Sequence, residues 1–109
     1  MSSIPIKRFS EFNTSETADT DIMSSDISTE ITPSYLRIYA VFDTAGVLSL
    51  MRTSGGTTVK EKLNSGNSLS ADCAYVFDVI TDKDETYNLQ YSVNATALKL
   101  IVLEIGGGI

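Results

Sequence analysis

From Tyr35 to Ile105 apolar residues recur at every second position, and clusters of turn-forming residues interrupt the pattern roughly every 8–12 residues. That spacing sends successive side chains to opposite faces of an extended strand. A helix would scatter the same apolar set around its circumference, so the pattern commits the chain to β-structure. Leu36, Ile38, Ala40 and Phe42 share one face, and Tyr35, Arg37, Tyr39 and Val41 the other. Thr44-Ala45-Gly46 marks a turn before a second strand over 47–53. Ser54-Gly55-Gly56 reads as a hairpin turn into Thr57–Lys62, because glycine accepts the positive φ that tight hairpins need. Asn64-Ser65-Gly66-Asn67 turns again, 74–80 is a fourth strand, and Asp82-Lys83-Asp84-Glu85 leads to a fifth over 86–93. In that fifth strand Tyr87, Leu89, Tyr91 and Val93 point inward and Asn88, Gln90 and Ser92 outward. After Asn94-Ala95-Thr96, residues 97–105 close the chain.

This gives six strands, or seven with the alternation Ile27, Thr29, Ile31. The fold class is therefore all-β: an antiparallel two-sheet sandwich, jelly-roll-like, with an extended N-terminal arm. Two regions are expected, the arm over 1–33 and the sandwich over 34–109. Ser and Thr crowd the first region between Ser10 and Thr32, together with Glu11, Glu16, Asp19, Asp21, Asp26 and Glu30 and no base. So polar a stretch buries too little to offset its ordering entropy alone, and a flexible tail is the plain reading. Ile4, Ile6, Phe9 and Phe12 form an apolar cluster at its start, however, and favour an arm that orders across a neighbouring subunit.

The final strand is apolar on both sides. Leu98, Leu100 and Val102 lie on one face and Ile101, Leu103 and Ile105 on the other. Such a strand is either central and covered twice or sits at a subunit contact. The sandwich is small and has neither a disulfide nor a metal motif, so oligomerisation is the natural supplement. The expected assembly interface is Ile4, Ile6, Phe9, Phe12, Ile27, Ile31, Ile101, Leu103 and Ile105, in a homo-oligomer with a trimer as the first guess.

Chemistry is sparse. The chain has no His, which removes Ser-His-Asp and Cys-His catalysis and most zinc designs. Its net charge of −6 argues against nucleic-acid binding through phosphates. No run approaches the roughly 20 apolar residues of a membrane span. No secretion signal is read at the N-terminus, so synthesis in a cytoplasm is expected. Cys73 reads as a small core residue. Asp82-Lys83-Asp84 begins like a calcium loop but carries Tyr87 where the loop requires Gly. Gly55-Gly56 and Gly106-Gly107-Gly108 fit no phosphate cradle. Asp43, Glu61, Asp78 and Glu104 read as outward charges rather than a carboxylate pair. The two sequon matches, Asn13-Thr14-Ser15 and Asn94-Ala95-Thr96, read as chance. No catalytic, cofactor-binding or metal residue is predicted, and the chain reads as a non-enzyme.

The segments Leu48–Gly56, Leu63–Gly66, Tyr75–Val79 and Tyr91–Thr96 resemble the hairpin style of virion structural proteins, with capsid decoration (cement) proteins of tailed phages and related viruses as the nearest type. The likeness covers roughly 35–105 and transfers no functional residue. It implies a protein made in the host cytoplasm that resides on the virion surface, binding a capsid or other protein lattice and its own copies, and neither nucleic acid nor membrane. Two other readings stand beside it. One is a carbohydrate-binding module using Tyr35, Tyr39, Tyr75, Tyr87 and Tyr91 as a stacking platform. The other is a filament subunit that donates a strand to the next copy.

Overall fold

The computed structural model describes residues 3–107, with side chains over 5–106. Among the described residues eight strands form in chain order: β1 (Ser3–Glu16), β2 (Ile27–Ser28), β3 (Ser34–Phe42), β4 (Leu48–Ser54), β5 (Thr57–Lys62), β6 (Tyr75–Ile80), β7 (Thr86–Tyr91) and β8 (Ala95–Gly107). Sheet A has the order β1-β8-β3-β6 and sheet B the order β2-β7-β4-β5. Every pairing is antiparallel. This is the strand order of an eight-stranded jelly roll, with the chain crossing repeatedly between two four-stranded sheets.

The predicted alternation fixes which face is buried. Leu36, Ile38, Ala40 and Phe42 of β3 and Leu100 and Val102 of β8 meet Leu48, Leu50, Tyr87, Leu89 and Tyr91 of sheet B, all at most 1% exposed. The rings of Phe42 and Tyr91 stack at 3.8 Å across the two sheets. A buried tyrosine needs a hydrogen-bond partner for its hydroxyl. Tyr91 donates to the Thr44 carbonyl at 2.7 Å, while the Tyr87 hydroxyl accepts from the Asp82 amide and donates to Glu85. The β4–β5 turn is Gly55-Gly56 with φ of 58° and 83°, a conformation glycine adopts at no steric cost.

The N-terminal segment is extended, and it lies on its own chain. β1 runs antiparallel along β8, from Ser3 opposite Gly107 to Glu16 opposite Ala95. Residues 18–28 then follow the free edge of β7. Asp19 and Ile22 donate backbone bonds to the Tyr91 and Leu89 carbonyls, and β2 completes the edge. Where this segment bulges away, the Asn88 side chain bonds both the amide and the carbonyl of Met23 and the carboxylate of Asp26. Asn88 was expected to face solvent; it is 3% exposed because this strap covers it. Met23 and Ile27 join the core.

Two further expectations are corrected. Cys73 is exposed rather than packed in the core, because it sits in the turn before β6, beside Asp72 at φ 61°. Glu104 is wholly buried rather than an outward charge. It lies on the inner row of β8, past the end of the apolar core, where residues 30–31 cross over the strand. Its carboxylate accepts from the Arg8 guanidinium at 2.8 Å and from the amides of Glu30 and Ile31 at 2.8 and 2.6 Å. Arg8 reaches it through a bulge between Lys7 and Phe9 that turns both Arg8 and Phe9 inward. Gly106 leaves room for this crossing, since a Cβ there would stand 2.3 Å from the Ile31 side chain.

Glu104→Ala leaves Arg8 and two backbone amides without their buried acceptor. Equilibrium urea unfolding is expected to show a loss of about 3–5 kcal/mol, the cost of breaking a buried pair on one side. Gly106→Ala is expected to destabilise through the clash with Ile31, and Ile31→Ala in the same chain to recover part of that loss.

Candidate functional site

Among the described residues no element of the chain covers the outer face of sheet A. Register places its side chains in cross-strand rows. Ser10, Ile101, Tyr39 and Val76 form one row across β1, β8, β3 and β6. Lys7, Leu103, Arg37 and Asp78 form the next, and Pro5, Ile105, Tyr35 and Ile80 the one beyond. Phe12, Lys99 and Val41 lie at the other end. Among the described residues the large hydrophobics left exposed are Phe12, Tyr39, Val59, Val76 and Ile80, and all but Val59 are on this face. Ile80 is 81% and Phe12 68% exposed. Single exposed apolar residues mean little, but several on one sheet face make that face the candidate site.

Of the charges on this face, Arg37 and Asp78 are paired in place. Arg37 holds Asp78 in a two-pronged pair at 2.8 and 3.0 Å, and its guanidinium lies 5.7 Å from the centre of the Tyr35 ring. The hydrogen bond to Arg37 keeps the Asp78 carboxyl below its ordinary range, while Asp78 raises Arg37. The Lys99 ammonium sits 5.6 Å from the Phe12 ring. The face carries three bases, Lys7, Arg37 and Lys99, against Asp78 alone, in a chain with eight bases and fourteen acids. The acidic character of the chain therefore lies elsewhere, and this face escapes the repulsion the rest of the surface would impose on a partner. A shallow hollow of about 230 Å³ opens beside Tyr35, Asp78 and Ile80.

The predicted interface residues divide. Phe12, Ile101, Leu103 and Ile105 stand together on the outer face, with Ile105 mostly covered by its neighbours. Phe9 and Ile27 pack into the core, Ile6 is half-buried opposite Glu104, and Ile31 covers Gly106. The Ile4 side chain lies outside the described residues. Tyr35, Tyr39, Val76 and Ile80 complete the face and lie outside the expected interface set. Their signal was present: β3 and β6 carry apolar residues in both phases of the alternation, as β8 does.

Other polar groups serve the fold. Arg52 bonds Glu61 and Glu85 at 2.6 Å each and the Ile80 carbonyl at 2.9 Å, with its guanidinium over the Tyr87 ring. These bonds pin the 81–85 turn to sheet B. Asp43 caps the start of β8 by accepting from the Thr96 amide, and that bond holds its carboxyl low. A groove of about 340 Å³ on sheet B has Asp21 and Asp26 at its rim, each held by an amide, from Gln90 and Asn88 respectively. Among the described residues no three of Cys, Asp and Glu converge as metal ligands, and no helix is long and apolar enough to cross a membrane. Tyr87 and Tyr91 are fully buried, which leaves no five-tyrosine platform. Comparison of the chain with protein-family models, with curated proteins and with solved structures finds no match in any of the three.

One carboxylate pair stands apart. Glu11 and Glu16 approach each other on β1, with an oxygen of each shielded from solvent and from donors in the protein. Burial first, then the hydrogen bond and charge of Glu16, push the Glu11 carboxyl up from 4.5 to about 8. Between those values the folded chain holds a proton that the unfolded chain releases. Stability is therefore expected to be greatest at the acid end of this window and to fall as pH rises from about 4.5 to about 8. Chemical denaturation across that range checks the slope, and Glu11→Gln is expected to flatten it.

Proposed function

We propose that this chain is a non-enzymatic structural protein, a building block that docks through the outer face of sheet A into a larger protein assembly. The observation that carries the reading is the clustering of Phe12, Tyr39, Val76 and Ile80 on one sheet face around Ile101 and Leu103. Fully burying one large apolar side chain contributes about 1.5–3 kcal/mol, so such a face is a strong drive to association once covered. The ionisable groups are consistent with this. Glu104, Arg52 and Asp43 are committed to holding strands and turns, and no polar cleft gathers them for chemistry.

The resemblance to capsid decoration proteins gives the specific form of the proposal: a protein on a virion surface that contacts its own copies and the capsid lattice. Jelly rolls serve as viral capsid domains, lectin domains and cupins, so the fold agrees with this form without selecting it. A glycan reading loses ground because Tyr87 and Tyr91 point into the core. Strand donation loses ground because β1 already fills the place beside β8.

The purified chain is expected to form dimers or larger particles in mass photometry and negative-stain microscopy. Ile101→Arg, which leaves the core untouched, is expected to yield monomers with an unchanged circular dichroism spectrum. A wild-type chain that stays monomeric at every concentration, or particles indifferent to Ile101→Arg, would overturn the docking role.

A further inference from the structure

Granting that docking role, we infer that the occupant of the outer face is a second copy of this chain, related by a two-fold axis parallel to the strands and passing between β8 and β3. The argument is one of register. Such an axis lays β8 of one copy over β3 of the other, and β1 over β6, while keeping each cross-strand row opposite itself. Ile101 then stands over the partner's Tyr39, and Ile105 over the partner's Tyr35. Lys7, which has no salt-bridge partner among the described residues, meets the partner's Asp78. Pro5 approaches the hollow between the partner's Tyr35 and Ile80. Each contact occurs twice, as a self-complementary interface requires.

Size and charge agree. Four strands about 4.8 Å apart and four rows about 6.8 Å apart span roughly 500 Å² in plan, before side-chain relief is counted. That approaches the roughly 800 Å² per partner of a standard stable interface. In the same-row arrangement the face's one acid, Asp78, is opposed by the base at the far edge, so the excess of bases does not set like charge against like at its centre. Sheets packed this way cross at about 30°, which loosens the corners and leaves the central Ile101–Tyr39 and Lys7–Asp78 rows closest to register. Stacking one patch on itself gives a closed dimer rather than a three-fold ring, so the two-fold replaces the trimer as the starting geometry.

The test exploits the position of Lys7 and Asp78 within one copy. They lie on β1 and β6, the two edges of sheet A, about 14 Å apart at ordinary strand spacing. Any coupling between them in association must therefore act between copies. Sedimentation velocity on the full chain is expected to show a dimer that weakens about tenfold in Lys7→Glu and again in Asp78→Lys, with recovery in the double variant. A size distribution that Ile101→Arg disrupts but neither charge reversal alters overturns the two-fold register and leaves the docking role standing. The same holds for a double variant that adds the two losses without recovery. A chain that never self-associates overturns the copy inference together with the docking role.

Discussion

Sheet A depends on β8 being flanked on both sides. It is paired along its length with β1 on one side and β3 on the other, so its backbone groups are satisfied within the chain. Its two side-chain rows then face different surroundings. The inner row, Leu100 and Val102, is locked between the sheets. The outer row, Ile101 and Leu103, is only half-buried. A strand apolar in both phases was expected to be either central or at a contact. It is central, and its outer side is half-exposed in the folded chain.

The clasp at Glu104 secures this arrangement at one end. A carboxylate with no exposure requires compensation for its lost hydration. Arg8 and the amides of Glu30 and Ile31 supply it from two separate stretches of the N-terminal third. The same residue thereby ties β1, the 29–33 crossing and β8 together. Arg52 performs the equivalent task for sheet B, holding β5 through Glu61 and the 81–85 turn through Glu85. Both clusters are part-buried networks rather than isolated surface pairs, which is the situation in which charge pairs matter to a fold.

β3, β6, β7 and β8 were legible because apolar residues alternate along them, and β4 and β5 because Gly55-Gly56 marks the hairpin between them. The inner faces of β3 and β7 follow the alternation almost residue for residue. β1 was not legible as a strand of the sandwich. Its bulge at Arg8 breaks the alternation, so Ile6 and Phe9 turn inward although an odd number of positions separates them, and its inner row continues with Glu11 rather than an apolar residue. Asn88 was misplaced for a related reason. Outward on its strand normally means exposed, but a strap with few large apolar residues, Ile22 and Met23 among them, lies over it, and no local pattern marks where a strap will settle. Of the candidate face, the contribution of β8 was visible in its double alternation. Tyr35, Tyr39, Val76 and Ile80 joined it only once β3 and β6 were known to be its neighbours.

The pairing of β1 with β8 has a consequence for how the chain acquires its structure. β1 and β8 are far apart in the chain yet adjacent in the sheet, with Ser3 opposite Gly107. The β1 ladder has no partner until β8, some ninety residues further along the chain, is in place. Loop-closure entropy must be met before that final ladder forms, which puts this small domain among the slower folders for its size.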